Sequence, residues 1–138
     1  MLVAGDMLPN CTVADDTGNP VTMAELLGGP LVLYFYPKDD TPGCTNEASQ
    51  FRDLYAKFEE KGARIVGVSR DSAASHQKFK AKYKIPFMLL SDAESKLYDA
   101  LGVSGRSTFL IDGKGAIVKV WPKVKVDGHA DEVLASLP

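Results

Sequence analysis

The segment 31–47 constrains the fold most, because an apolar run ends there in a turn that leads into a helix. The run 31–36 is continuous and apolar, which is typical of a strand buried on both faces. Pro37 stops the run, and the residues after it are turn formers. Thr41 is a favourable N-cap, and Pro42 suits the first helical position, where a missing N–H costs nothing. The segment therefore predicts a strand, a turn and a helix in direct succession.

Cys44 falls in the first turn of this predicted helix, at its amide-rich, positive end. A thiolate is stabilised at that end, and the thiolate is the reactive form of cysteine. The helix that follows, 45–61, carries apolar residues at three- and four-residue spacing and ends at Gly62. The alternative is that Cys44 is a small buried hydrophobe that lies near a cap.

The rest of the chain alternates between predicted strands and helices. Strands are expected at 11–14, 21–22, 64–69, 87–90, 107–111 and 116–121, and helices at 23–27, 72–84, 93–101 and 130–137. The alternation favours parallel pairing early in the sheet, and a turn at 112–115 requires an antiparallel closing hairpin. The prediction is an α/β fold: a mixed β-sheet with helices on both faces and an N-terminal hairpin, in which ligands favour the carboxyl ends of the strands.

Length and composition exclude several classes of protein. The chain has 138 residues, 45% hydrophobic and 25% charged, which predicts one domain over residues 1–138. A net charge of −2 gives no reason to expect nucleic acid or an anionic membrane as a partner, and the apolar runs are too short to span a bilayer. Two cysteines and no visible secretory signal favour a reducing compartment, so we expect a cytoplasmic location.

Several motifs resemble those of one protein family. The pattern Pro37-x-x-x-Thr41-x-x-Cys44 matches the active-site signature of the peroxiredoxins, and the string 36–45 resembles the bacterioferritin comigratory protein, or peroxiredoxin Q, subfamily. Further stretches at 91–92, 106–112 and 121–129 agree in order, so the resemblance covers nearly the whole chain. It implies a thioredoxin-like fold and a thiol-dependent peroxidase that reduces hydrogen peroxide and organic hydroperoxides, with no cofactor and no metal.

The resemblance also implies roles for five residues. Cys44 would be the nucleophile that becomes a sulfenic acid. Thr41 would hydrogen-bond the peroxide, and Pro37 would shield the sulfur from water. Arg106 would place a permanent positive charge beside the sulfur, and Glu47 would hold that arginine. Each role has a structural alternative. Thr41 would be only an N-cap and Pro37 only a strand terminator. Arg106 would be an exposed surface residue, and Glu47 an ordinary acid in the first turn of the helix.

The sequence departs from the subfamily at the positions that would resolve the sulfenic acid. Relatives carry a second cysteine five residues after the nucleophile or in the next long helix, where this chain has Ser49 and Lys80. The other cysteine, Cys11, is expected on the N-terminal strand, either as a buried small hydrophobe or as a resolving thiol. We therefore expect a one-cysteine mechanism in which an external thiol such as thioredoxin, glutaredoxin or glutathione reduces Cys44.

The second departure is a short loop before Arg106, where only Ser104 and Gly105 stand in place of a longer segment. This makes Arg106 the site assignment that depends most on the structure.

His76 is expected to pack in a helix, and His129 to be exposed at the start of the last helix. Relatives are often monomers or weak homodimers. A redox-controlled binding or holdase protein on the same fold is the alternative function, whereas a dithiol cycle of the thioredoxin type would need sulfur at Thr41.

Overall fold

The computed structural model describes residues 1–138 and is built on one seven-stranded sheet with the order β2-β1-β5-β4-β3-β6-β7. The strands are β1 Thr12–Asp15, β2 Pro20–Thr22, β3 Leu31–Phe35, β4 Arg64–Ser69, β5 Met88–Ser91, β6 Ser107–Ile111 and β7 Ile117–Trp121. The central strands β3, β4 and β5 are parallel, while β6, β7 and the β1–β2 hairpin pair antiparallel. This confirms the predicted mixed sheet and its N-terminal hairpin.

The helices are α1 Pro42–Asp53, α2 Tyr55–Glu60, α3 Ala73–Tyr83, α4 Lys96–Leu101 and α5 His129–Ala135, with a short 3-10 helix at Met23–Leu26. The first helix begins at Pro42, which confirms the predicted first helical position ahead of the range 45–61. The single continuous helix predicted as far as residue 61 is wrong, because the helix breaks at Leu54, whose ψ of 4° lies outside the helical range. The break lets α1 pack on α5 while α2 packs on β4.

Helix α4 begins later than the predicted 93, because its start is fixed by a side chain outside the helix. The Asp92 carboxylate accepts hydrogen bonds from the backbone N–H groups of Leu97 and Tyr98, at 3.0 and 2.9 Å. Ser95 adopts a left-handed conformation with φ of 60°, which a continuous helix excludes. The residues 93–95 therefore form a turn.

Alternate residues of β3 contribute to two separate cores. Leu31, Leu33 and Phe35 face a cluster covered by the 3-10 helix and α4, which we call the Cys11 face because Cys11 packs against it. Val32 and Tyr34 face the opposite cluster, covered by α1, α2, α3 and α5, which we call the Cys44 face because it contains Cys44. All five residues of β3 are buried, as predicted for a strand with both faces covered. No helix is long and apolar enough to cross a membrane.

Candidate active site

The strand-to-helix turn places Cys44 at the carboxyl end of β3. Tyr36 still pairs with β4 through its backbone N–H, which donates to the Val68 carbonyl at 3.0 Å, and Pro37 then ends the strand. Pro42 occupies the first position of α1, so Cys44 is the third residue of the helix. The cysteine is 1% exposed. The thiol therefore lies in the first turn of α1, as predicted, under a nearly complete cover of protein.

Thr41 precedes α1 in the N-cap position, but its hydroxyl does not cap the helix. The Thr41 Oγ1 donates to the Lys38 carbonyl at 2.9 Å, and only the Thr41 carbonyl joins the helix, accepting from the Thr45 N–H at 2.8 Å. The expected N-cap hydrogen bond of the side chain is therefore wrong. The hydroxyl instead closes the turn that precedes the helix, because the Lys38 carbonyl lies within hydrogen-bonding distance of it.

Arg106 reaches the sulfur although the loop before it is short. Its Nη2 donates to Cys44 Sγ at 3.3 Å, and its Nη1 donates to Glu47 Oε1 at 2.7 Å. The arginine directly precedes β6, and its carbonyl accepts from the Val124 N–H at 3.0 Å, which fixes the backbone. The structure thus brings Cys44, Arg106 and Glu47 together. A permanent charge beside the sulfur favours a thiolate and a developing oxyanion.

Gly43 is a residue of this site that the sequence reasoning missed. A Cβ at this position would lie 3.1 Å from Arg106 Nη2, so a side chain would push the guanidinium away from the sulfur. The signal in the sequence is the glycine directly before Cys44 at the start of a helix, where glycine is not a favourable residue. The structural reason for glycine at position 43 is the close approach of the Arg106 guanidinium, which leaves little room for a side chain.

Glu47 holds the arginine from one helical turn beyond Cys44. Its side chain is 1% exposed, and its Oε2 has no hydrogen-bond partner. Burial raises the pKa of Glu47 to about 7, although the hydrogen bond and the charge of Arg106 act in the opposite direction. The carboxyl therefore titrates near neutrality.

The prediction that His129 is exposed is wrong. The ring is 3% exposed, its Nε2 lies 2.8 Å from Thr108 Oγ1, and the rings of Phe51 and Trp121 contact it edge-on. Burial lowers the pKa of His129 to about 4, which keeps the ring neutral. Packing of α5 against α1 buries it, and that contact joins segments far apart in the chain.

Pro37 and Cys11 are the other two predicted site residues. Pro37 is exposed at the end of β3. Cys11 directly precedes β1, is partly buried, and packs on the opposite face of the sheet from Cys44. Burial, followed by the negative charge of Asp92, raises the pKa of the Cys11 thiol.

A thioredoxin-like sheet with a buried cysteine in the first turn of a helix, and an arginine at its sulfur, defines the class of thiol-dependent peroxidases. The chain belongs to the AhpC/TSA family, whose model matches residues 4–120. It is 45% identical to peroxiredoxin Bcp of Bacillus subtilis, over 96% of this chain and 93% of that protein.

Solved structures place the chain in the same subfamily. The bacterioferritin comigratory protein of Xanthomonas campestris superposes with a TM-score of 0.90 at 41% identity, covering 96% of this chain and 97% of that one. Peroxiredoxin Q of Xylella fastidiosa superposes with a TM-score of 0.95 at 39% identity, covering 99% and 96%. The predicted family, fold and enzyme class are therefore confirmed: the protein is a thiol-dependent peroxidase of the bacterioferritin comigratory protein, or peroxiredoxin Q, subfamily.

Proposed function

We propose that this peroxidase works with one cysteine, Cys44, and that an external thiol reduces it after each reaction with peroxide. The observation that carries the proposal is the separation of the two cysteines by the β-sheet. Cys44 belongs to the cluster on one face, and Cys11 packs against the cluster on the other. A disulfide needs the two Cα atoms within about 7 Å. Because Cys44 lies on a helix that covers one face of the sheet and Cys11 packs against the other, we expect the intact sheet to keep them farther apart. Ser49 and Lys80 supply no other sulfur.

In the proposed first step, the Cys44 thiolate attacks one oxygen of the peroxide. The S–O bond forms as the O–O bond breaks, the sulfur is oxidised, and the leaving oxygen takes a proton to become water or an alcohol. Arg106 stabilises the thiolate and the developing negative charge, and Glu47 holds Arg106 in place. Thr41 hydrogen-bonds the bound peroxide, and Pro37 limits access of water to the sulfur.

In the second step, an external thiol attacks the sulfur of the sulfenic acid and releases water, which gives a mixed disulfide. A second external thiol then releases Cys44 and leaves with the first as a disulfide. Thioredoxin, glutaredoxin and glutathione are the reductants that fit this role. The substrates are hydrogen peroxide and organic hydroperoxides, in agreement with the alkyl peroxide reduction activity of the Xanthomonas campestris relative. The enzyme works as a monomer or weak homodimer in the cytoplasm.

The test is the intact mass of the reduced protein after one equivalent of hydrogen peroxide, with and without a sulfenate trap. We expect a single added oxygen that the trap captures at Cys44, in the native chain and in Cys11→Ser alike. Loss of two hydrogens within the monomer, abolished by Cys11→Ser, would show that Cys11 resolves Cys44 and would overturn the one-cysteine mechanism. No mass change would overturn the role of Cys44.

A further inference from the structure

The loop that carries Thr41 and leads to Cys44 is anchored by a buried aspartate. Asp39 Oδ1 accepts from the Tyr36 hydroxyl at 2.6 Å, while Oδ2 accepts from Ser75 Oγ at 2.8 Å and lies 2.7 Å from His76 Nδ1. The side chains of Asp39 and His76 are 4% and 0% exposed. Ser75 and His76 belong to the first half of α3, so the carboxylate joins the loop to a helix that follows it by more than thirty residues.

The partners of His76 determine its protonation state. Its Nε2 lies 2.9 Å from the Leu90 carbonyl oxygen, which can only accept a hydrogen bond. Its Nδ1 faces the Asp39 carboxylate, which already accepts two hydroxyl protons. With Asp39 ionised, either neutral tautomer would leave a bare nitrogen facing an acceptor oxygen, and the imidazolium satisfies both contacts. Asp39 and His76 therefore form a buried ion pair.

The surrounding charges are consistent with an imidazolium. Burial lowers the pKa of His76, but the hydrogen bond and negative charge of Asp39, helped by Leu90 and Asp71, outweigh burial and raise it. Asp71 belongs to the same network, because its Oδ2 accepts from the Asp39 N–H at 2.8 Å and from Ser69 Oγ at 2.7 Å. The side chain and the backbone of Asp39 are thus both held.

The neighbouring Asp40 can be compared with Asp39, because both join the same loop to α3. Asp39 contacts the first half of that helix, and Asp40 contacts its C-terminal end. Its carboxylate accepts from Lys82 Nζ at 2.8 Å and from the Tyr83 hydroxyl at 2.6 Å, but the Lys82 and Asp40 side chains are 58% and 43% exposed. Exposed ion pairs contribute little, since water screens them. The loop is therefore held chiefly through Asp39.

We propose that His76 is a positioning residue for the peroxidase reaction: its protonated ring fixes Asp39, and through it the loop that sets Cys44 against Arg106. The inference rests on the proposed role of Cys44 as the nucleophile. Asp39 lies two residues before Thr41 and five before Cys44, so a displaced Asp39 moves the start of α1. The Arg106–Sγ contact of 3.3 Å is then lengthened. Displacements of about 1 Å at a reacting group are enough to lower rates by about 100-fold.

The proposal predicts a pH dependence. The group that titrates is His76, and Asp39, Asp71, the Tyr36 hydroxyl and Ser75 are the polar groups arrayed around it. Because the pKa of His76 is raised, the ion pair persists above the pH at which a free imidazole loses its proton, and it is lost as the pH rises through that raised value. The rate constant for oxidation of Cys44 should fall over the same range.

The experiment compares His76→Asn with Asp40→Asn. Asparagine at position 76 keeps a hydrogen-bond donor for Asp39 but loses the charge and the contact with Leu90. Asp40→Asn removes only the charge of the exposed ion pair between Asp40 and Lys82. We expect His76→Asn to lower the second-order rate constant with hydrogen peroxide by about tenfold or more and to remove the alkaline decline. Asp40→Asn should stay near the native value. Nitrogen-15 spectra of the native protein should show hydrogen on both ring nitrogens of His76 at neutral pH.

Tyr36→Phe and Ser75→Ala keep the proposal testable if His76→Asn does not fold, because each removes one hydrogen bond to Asp39 and leaves the core filled. Each should lower the rate constant by about threefold to tenfold. Native rates and an unchanged pH profile in a folded His76→Asn, or in both of these variants, would overturn the positioning role. So would a singly protonated His76 ring. Failure of native Cys44 to react with peroxide at all would instead overturn the proposed function.

Discussion

The two cysteines of this chain occupy opposite faces of one sheet and have opposite surroundings. Cys44 lies in the first turn of α1 with an arginine nitrogen 3.3 Å from its sulfur. Cys11 directly precedes β1, where burial and the negative charge of Asp92 raise the pKa of its thiol. The two have the same functional group but different neighbours: a guanidinium donates to the sulfur of Cys44, whereas at Cys11 burial and the charge of Asp92 outweigh the opposing charge of Lys96. A cationic neighbour favours the thiolate, and an anionic neighbour with burial favours the thiol.

The comparison separates the burial of a cysteine from the charges that surround it. Cys44 is the more buried of the two, at 1% exposed, while Cys11 is only partly buried. Exposure alone would select Cys11 as the reactive thiol. The proposed role of Cys44 therefore depends on its position at the start of α1 and on the guanidinium at its sulfur, which makes Arg106 the residue on which the comparison turns.

The largest effect is expected from Cys44→Ser, which removes the proposed nucleophile while keeping a hydroxyl of similar size. Peroxidase activity should be lost, and no oxygen should be added to the protein by one equivalent of peroxide. Steady-state turnover with an external thiol and intact mass spectrometry measure both. Residual turnover that depends on Cys11 would break the comparison.

Arg106→Met should be next in size, because it removes the charge at the sulfur and keeps much of the side-chain length. We expect the rate constant with peroxide to fall by about 100-fold or more, as for the loss of a charge that stabilises a transition state. Stopped-flow oxidation measures it. Arg64→Met is the matched control, since Arg64 is the exposed first residue of β4. It pairs with Leu31 at the start of β3, whereas the site lies beyond the end of β3. An unchanged rate constant in Arg106→Met would remove the arginine from the site.

Glu47→Gln should lower the same rate constant less, by about tenfold, because glutamine still accepts from Arg106 but carries no charge.

Glu47→Gln should also change how the free energy of unfolding depends on pH. Burial raises the pKa of Glu47 from 4.5 to about 7, so the folded state binds more protons than the unfolded state between these values. This contribution to stability is present at low pH and is lost, on the order of 3 kcal/mol, as the pH rises through that window.

Urea unfolding at the two ends of this pH window tests the point, with Glu59→Gln as the control because Glu59 is exposed on α2. The native protein and the control should both lose stability across the window relative to Glu47→Gln. Parallel pH profiles for all three proteins would mean that Glu47 is ionised throughout.

The smallest effect is expected from Cys11→Ser. Turnover should stay at the native level with every reductant, because Cys11 lies across the sheet from the reacting sulfur. In Cys44→Ser, the remaining Cys11 should react with an alkylating agent only at alkaline pH, since the pKa of its thiol is raised. Rapid alkylation at neutral pH would contradict the raised pKa of the Cys11 thiol.

Elements with strong local signals were predictable from the sequence. The bounds of β4 and β6 agree with the prediction, because each is an apolar run with a change of composition at both ends. The break at Leu54 was not predictable, since it depends on α1 and α2 packing against different partners. The same holds for His129, which is buried because α5 docks on α1.

The candidate site divides in the same way. The signature around Cys44 predicted the turn and the helix start that the structure shows, because these depend on residues adjacent in the chain, and it supplied the proposal that Cys44 is the nucleophile. The pairing of Asp39 with His76 had no signal, since the two residues are 37 positions apart and the motif that contains Asp39 does not point to a histidine. The family resemblance predicted Arg106 beside the sulfur, but its reach across a short loop depends on where β6 lies beside β3.

The sequence by itself therefore determined the family, the strand-to-helix turn and the residue types at the site, because local propensity and a contiguous motif specify them. The tertiary structure decided which charge faces which sulfur. Electrostatic effects on a thiol depend on distances of a few ångströms between residues distant in the chain, as between Arg106 and Cys44, 62 positions apart. Those distances are set by the pairing of strands and by the packing of helices on the two faces of the sheet.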